Sequence, residues 1–277
     1  MRKFLIFIKN TLMAIGVISS FVTVLWAIFP TYLNQKVGEY PWVCLIVFIS
    51  MSVLFGWFKI RKKRTIELSL STKVIAKVYY GDIFEKKDII VIPVNEYFDT
   101  KVDDRIISSR TIHGMFIRQF FGGDEENLRD QIAQSLSDKK YLDINHDRNS
   151  FHKKRYPLGT VAQVVKDDKV FFLVALSKFN NNHRAEVSNS EYQRVICDLF
   201  IYINQFSQGK KVHLPLIGSG HSGVSLSKQK LLEFLLFAIS MNDNLTLING
   251  VDIVLHSSIQ NEINLSITEV LFNCIEG

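Results

Sequence analysis

Cysteine is scarce in this chain of 277 residues: Cys44, Cys197 and Cys274 are the only three, widely spaced and with no C-x-x-C. An odd, scattered set excludes a secreted disulfide framework and a cysteine-based zinc site, and it fits a reducing compartment. The seven histidines form no H-E-x-x-H and no Cys/His cluster, so no metal is expected. Acid is what the first quarter lacks. Residues 1–64 carry nine Lys/Arg and one acid, Glu39, which leaves 24 bases against 26 acids in residues 65–277. The formal net charge of +6 therefore belongs to the N-terminal part. The remainder lacks the cationic face that phosphate neutralisation needs, so nucleic acid is not an expected partner. Internal repeats and low-complexity tracts are also absent.

Charge disappears from two stretches, residues 11–29 and 41–58. As helices each would extend roughly 27–29 Å, close to the ~30 Å hydrocarbon core of a bilayer. The polar turn TYLNQKVGEY lies between them, bracketed by Pro30 and Pro41. The pattern predicts a transmembrane helical hairpin, with Trp26, Tyr32, Tyr40, Trp42 and Trp57 near the span ends where amphipathic rings prefer the interface. A cleaved signal peptide would have a shorter apolar core ending in small residues, whereas this run ends in Phe-Pro-Thr-Tyr. Arg2, Lys3 and Lys9 precede the first span and Lys59, Arg61, Lys62, Lys63 and Arg64 follow the second. By the positive-inside rule the expected location is the cell membrane, multi-pass, with both termini cytoplasmic. Neither span carries a charge, so no ion pathway is marked. Gly16 and Ser20 allow close helix approach, which is compatible with a homo-oligomer; a passive anchor fits equally well.

Residues 59–70 read as a linker. Beyond it, 73–80, 88–94, a hairpin over 160–176 turning at Asp167-Asp168, 210–217 and 251–256 read as strands. Helical patterns occupy 103–121, 124–137, 188–207, 226–240 and 259–273. Six strands interleaved with helices predict a three-layer α/β domain with a mixed sheet over residues 65–277, large enough to bury a full core.

The most informative stretch is PLIGSGHSGVSLSK, residues 215–228. A strand runs into Gly218, Gly220 and Gly223, and a helix follows. Glycines let the backbone turn its N–H groups toward one point, which with a helix N-terminus makes an anion cradle. Three familiar sites fail on spacing. Walker A needs Lys after its last Gly, and Val224 stands there. A nucleophile elbow needs Gly two residues after Ser222, again the place of Val224. A dinucleotide-binding βαβ unit needs an acid at the end of the next strand, and Leu255-His256 occupies that place. A second candidate is YYGDIFEKKDIIVIPVNEYFDT, residues 79–100, where Asp82 and Asn95 follow two strands. Ligands collect at strand ends in open α/β sheets. Taken singly, Gly81-Asp82 reads as a turn and Asn95 as a satisfied strand-end amide.

Together, strand–GDIF, a buried strand ending in VN, P-L-G-T (157–160) and PLIGSGHSGV resemble the macrodomain family in their order. Macrodomains bind ADP-ribose and its derivatives. The resemblance covers about residues 73–260 and implies a three-layer macrodomain. It implies that Asp82 accepts from the adenine amino group, with Ile83 as a neighbouring backbone contact, and that Asn95 heads the distal-ribose loop. It assigns the diphosphate loop to Gly218, Ser219, Gly220, His221, Ser222, Gly223 and Val224. Asp99 and Thr100 are candidates for ribose hydroxyls or an amine on the ligand. Hydrolytic members read V-N-A-A-N and then a glycine run; here Phe98 stands where the second Asn would be and no glycine triplet follows. The resemblance thus implies binding without catalysis, and no catalytic residue is expected. The aromatic that stacks on adenine after the last strand has no evident counterpart, since His256-Ser257-Ser258 holds that place.

The wording IVIPVNEYFDT, then TIHG, behind a leading hairpin is similar to one narrower family, the membrane-anchored macrodomain form of the Thoeris anti-phage family ThsA. That resemblance implies an effector with no cofactor, whose ligand is an ADP-ribose derivative. A companion TIR-domain enzyme makes the signal, and the lipid bilayer of the inner membrane is the target. A tethered ADP-ribosyl or O-acyl-ADP-ribose hydrolase is the alternative. Several residues keep two readings. His221 contacts a phosphate or faces solvent; His113 caps or packs a helix, or overhangs the pocket. Asp103 and Asp104 bind ribose or open the 103–121 helix, and Cys197 is read as core packing.

Overall fold

Two prolines start helices instead of ending them. The structure, a computed structural model, describes residues 2–60, 63–148, 150–179, 185–220 and 222–276. Those residues fall into two compact units, Met1–Lys62 and Lys63–Gly277. In the first, α1 (Arg2–Ile28), α2 (Pro30–Glu39) and α3 (Pro41–Ile60) follow one another with breaks at Phe29 and Tyr40. The residue before a proline is pushed out of the helical region, while proline itself suits the first helical position. The polar stretch expected to be a turn is therefore itself a helix. α1 packs against α3. Among the described residues one helix is long and apolar enough to cross a membrane, over Thr11–Ile28; Pro41–Phe55 is apolar but shorter. Ser20, Thr23 and Ser52 donate back to the carbonyls of Gly16, Ser19 and Phe48 at 2.9 Å each. Their hydroxyls are thus satisfied within their own helices.

The second unit is built on one sheet. In chain order it comprises β1 (Thr65–Ser71), β2 (Val74–Tyr80), β3 (Asp88–Asn95), α4 (Ile112–Phe121), α5 (Glu125–Ser135), β4 (Asp143–Ile144) and β5 (Lys154–Arg155). Then come β6 (Val161–Lys166), β7 (Lys169–Phe179), β8 (Ala185–Glu186), α6 (Asn189–Phe206), β9 (Val212–Pro215), α7 (Lys228–Ser240), β10 (Leu247–Leu255) and α8 (Leu265–Glu276). The strand order is β1-β2-β10-β9-β3-β7-β6, with β8 added to β7 and β4-β5 a separate two-stranded ribbon. β2, β10, β9, β3 and β7 run parallel, and β1 and β6 lie antiparallel at the edges. Side chains alternate across the sheet. Ile89, Val91, Phe172 and Val174 enter a core shared with α6, α7 and α8. Ile90, Ile92, Phe171 and Leu173 enter a second core shared with α4 and α5. Helices on both faces of a mixed sheet make the three layers expected.

Three differences from the sequence reading have physical causes. β1 lies inside the stretch read as a linker: Ile66, Leu68 and Leu70 alternate inward with period two and join the first core. Thr65 pairs with Tyr79, so the chain enters this unit at the carboxyl end of β2. The helix expected over 103–121 starts only at Ile112, capped by the Thr111 hydroxyl on the Gly114 N–H at 3.1 Å. Ahead of it the Asp103 carboxylate accepts from the Arg105 and Ile106 N–H groups, and Asp104 (φ 58°) accepts from Ser109. Such side-chain turns compete with helix formation. Cys197, read as core, is exposed on the outer face of α6.

The placement of β1 has a testable consequence. Leu68 is buried at 2% exposure between β1 and the first core. Leu68→Ala is expected to lower stability by about 2–5 kcal/mol in chemical denaturation. A loss below about 1 kcal/mol would return residues 65–71 to the status of a linker.

Candidate functional site

All five parallel strands end at the same edge, where the ladder stops and the loops must satisfy the last backbone groups themselves. Reading along that edge, β2 leads into Gly81–Asp82, β10 into His256, β9 into the glycine loop and β3 into residues 96–100. Loops far apart in the chain thus become neighbours. Asp82, Asn95 and the loop 218–224 share one rim.

At β2 the ladder continues one step, with the Gly81 N–H on the Leu255 carbonyl at 3.0 Å. The Asp82 Oδ1 then accepts from the Phe84 N–H at 2.9 Å, closing a tight turn. Ile83 and Phe84 are buried in the second core, which anchors the turn and leaves Asp82 exposed at the rim. Beneath it, the Tyr79 hydroxyl donates to Asp252 Oδ2 at 3.0 Å, tying β2 to β10. Lys211 Nζ lies 2.9 Å from the other oxygen of Asp252, and His213 Nδ1 is 3.4 Å from Oδ2. Burial alone would raise the pKa of Asp252; hydrogen bonds from His213, Lys211 and Tyr79 outweigh it and hold the carboxyl at about 2. Burial, together with that bond to Asp252, pushes the Tyr79 phenol up.

Past β9, Leu216 and Ile217 stay buried, and the Tyr192 hydroxyl of α6 donates to the Ile217 carbonyl at 3.0 Å. Gly218 has φ +85°, and a Cβ there would meet Tyr192 Cε2 at 3.0 Å and Val224 Cγ2 at 3.1 Å. Gly223 has φ +80°, and its Cβ would meet the Ala185 carbonyl oxygen at 2.8 Å. Both positions demand glycine on conformation and space. Gly220 differs: nothing lies within 4 Å of where its Cβ would be, so it faces open space. The Ser222 Oγ is buried and finds no hydrogen-bond partner among the described residues. Ser219 and Val224 are half-buried, and Val224 packs on the first core. His221 lies outside the described residues. The helix does not follow at once, since α7 begins at Lys228 and is capped by Ser227. Its N-terminus is already served by that cap, with the Ser227 side chain accepting from the Lys230 N–H.

At the end of β3 the Asn95 Oδ1 accepts from the Tyr97 N–H at 3.0 Å and the Asp99 N–H at 3.5 Å, folding the loop back on itself. Phe98 takes φ 55° and turns its ring into the second core, edge-on to Tyr156 at 5.6 Å. Asp99 grips Arg148: Nη1 to Oδ1 and Nη2 to Oδ2, 2.7 Å each, with the Ser150 hydroxyl on Oδ1 at 2.9 Å. The Thr100 hydroxyl is 3.4 Å from His152 Nε2. The carboxylate of Asp99 is therefore already spoken for by the protein. Asp103 and Asp104 lie in the exposed turns before α4, and His256 folds onto Ser258 at 2.8 Å, capping a short 3-10 turn. Arg148, Ser150 and His152 were not picked out from the sequence. Their stretch has no periodicity, and their partners sit 49 to 52 residues away.

Comparison with known proteins then settles the family. Residues 76–256 match the family model for the macro domain of Thoeris protein ThsA. The chain belongs to the ThsA macrodomain family. A curated relative, Thoeris protein ThsA of Bacillus amyloliquefaciens (strain Y2), is 30% identical over 209 residues, covering 72% of this chain and 69% of the relative. Among solved structures, an Oceanobacillus iheyensis macrodomain mutant with ADPR matches at TM-score 0.53 and 13% identity, over 77% of this chain and 100% of that one. The same macrodomain with ADP matches at TM-score 0.54 and 12% identity, over 76% and 97%. Likeness at this identity establishes the macrodomain fold.

His113, beside this site, offers a titration test. It is fully buried at the start of α4, and its pKa is pushed down to about 4 by burial, with Asp99 opposing. The folded imidazole is neutral, whereas the unfolded one titrates near 6.5. Between about pH 6.5 and 4 the unfolded chain takes a proton that the folded chain refuses, so stability falls as pH drops through that window. The full shift corresponds to roughly 3 kcal/mol. Denaturant midpoints measured from about pH 7 to 4.5 should decline, and His113→Gln should flatten the decline. An unchanged slope in the variant would remove His113 as its source.

Proposed function

We propose that this chain is a membrane-anchored anti-phage effector whose macrodomain senses an ADP-ribose-type nucleotide. In this reading a companion TIR-domain enzyme makes the signal, and its binding drives the N-terminal helices to disrupt the inner membrane. The observation that carries it is the order of loops along one sheet edge: an exposed acid, then an open glycine loop with an unpartnered buried hydroxyl, then the Asn95 loop. An adenine on Asp82 and the Ile83 backbone, a diphosphate over residues 218–224 and a second ribose beside Asn95 fit that order. Ser222 supplies a hydroxyl whose buried oxygen is costly to leave unpaired and which a phosphate oxygen would satisfy. Ser219, Gly220, His221 and Gly223 supply the surrounding backbone. Asp99 and Thr100 act through the shape of the loop they hold, since their side chains bond Arg148 and His152.

Binding without hydrolysis is the better reading. The position where hydrolytic relatives place a second polar group holds Phe98, at 1% exposure, in the core. The N-terminal helices favour lipid on composition. Leu12, Val17, Phe21, Trp42 and Ile46 expose apolar surface that water would penalise. In this reading both termini are cytoplasmic, which the Lys and Arg on the outer flanks of the two uncharged stretches favour by the positive-inside rule. β1, the first strand to follow the helices in the chain, starts opposite Tyr79, next to the turn that holds Asp82. Ligand shifts the effector by its differential affinity for two states, which homo-oligomers of the helices would amplify.

Two experiments test this. ADP-ribose at a hundredfold excess over its Kd should add about 2.7 kcal/mol, a Tm rise of roughly 5–10 °C; ATP should not. Gly220→Glu fits the open space without disturbing the fold and should abolish the rise through charge repulsion. Equal shifts in both proteins would rule out the loop assignment. Reconstituted in liposomes, the chain should release trapped dye on addition of an activating ligand; ligand binding without leakage would leave a passive anchor.

A further inference from the structure

A loop that meets a ligand at a strand end is ordinarily exposed. Here every residue from Val94 to Thr100 is buried. Val94 and Phe98 are buried in the second core, while Tyr97, Asp99 and Thr100 are covered by Arg148, Ser150 and His152 from the segment that carries β4 and β5, running from Leu142 to Tyr156. It is pinned at several places. The Tyr156 N–H donates to the Glu96 carbonyl at 2.9 Å, and Arg129 of α5 lies 4.3 Å from the Phe151 ring centroid. At the centre Arg148 forks onto Asp99, donates to the His152 carbonyl at 2.9 Å and stacks 3.8 Å from the Tyr97 ring centroid. The side chains of Arg148 and Asp99 are 12% and 3% exposed.

A buried ion pair contributes little net stability, because desolvation offsets the Coulomb gain; its use is to impose one geometry. Arginine suits that use, since its planar fork fixes both distance and angle to a carboxylate. The geometry imposed here closes one end of the rim. β2 and β3 are three strand spacings apart in the sheet, about 14 Å. A nucleotide with its base at the end of β2 and its diphosphate at β9 has its far ribose at the end of β3. A polypeptide attached to that ribose needs a way out. On this side the floor is residues 95–100, the roof is formed by Arg148, Ser150 and His152, and the Phe98–Tyr156 pair stands behind.

We propose that Arg148 is a specificity-determining latch: it holds residues 142–156 over the far-ribose end, so the site takes a free ADP-ribose-type nucleotide and refuses one attached to a protein side chain. The inference rests on the nucleotide reading of the site given above. Full-length protein in detergent is titrated with free ADP-ribose and with a peptide mono-ADP-ribosylated on a side chain. The expected result is at least roughly tenfold weaker binding of the peptide, a difference of about 1.4 kcal/mol. Arg148→Ala should narrow the gap to below about threefold by admitting the peptide, an effect that mere loss of structure would not produce. Should that variant fail to fold, Arg148→Lys, which keeps the charge and loses the fork, carries the same expectation. Wild-type protein binding both probes within about threefold overturns the latch, as does a folded variant that leaves the gap unchanged. Failure of the wild-type protein to bind free ADP-ribose overturns the reading of the site, and the latch with it.

Discussion

Five parallel strands release their chain at one edge, and each backbone group leaving the ladder there must find a new partner. That constraint organises the rest of the molecule. Parallel pairing needs crossovers, crossovers supply helices to both faces, and the two faces become two separate cores. β9 inserts between β10 and β3, so Gly218 and its neighbours stand between Asp82 and Asn95 although chain order puts them last. Positive φ at Gly218 and Gly223, with neighbours that leave no room for a Cβ, shapes the loop that fills the gap. The open site at Gly220 is what that shaping leaves free.

Lateral polar ties keep the strand ends in line. Tyr79 and Asp252 join β2 to β10, while Lys211 and His213 bring the start of β9 to the same carboxylate. Asp252 stays ionised in a buried place because three donors converge on it. Asp99 is held by the same physics at the other end of the rim, with the Arg148 fork and the Ser150 hydroxyl as its donors. The buried Ser222 oxygen in the glycine loop has no hydrogen-bond partner among the described residues; the same holds for His213 Nδ1 and Asp252 Oδ1, which rely on the ion pairs around Asp252.

The N-terminal unit solves a different problem with fewer means. Helices apolar on all sides keep their backbone polar groups bonded within themselves, and Ser20, Thr23 and Ser52 return their hydroxyls to the preceding turn. Pro30 and Pro41 break the chain direction only at Phe29 and Tyr40, so even the polar connection stays helical. Among the described residues of this unit, the buried Thr11 hydroxyl is left without a partner.

Much was legible from residue order alone: the uncharged spans, the period-two strands of the sheet, the helix over about 188–207 and the glycine loop after Pro215. These follow from short-range physics, since hydropathy period, capping and turn chemistry act over a few residues. A helical pattern over 103–111 does not become a helix because Asp103 and Asp104 bond their own backbone, and the alternation of Ile66, Leu68 and Leu70 that makes β1 is short and runs directly on from a basic flank. What only the tertiary structure decided is the company each residue keeps. Asp99 meets Arg148 across 49 positions, Asp252 meets Tyr79 across 173, and no local pattern encodes either meeting. The order of strands in the sheet sets these pairings, and that order is a property of how the whole chain packs.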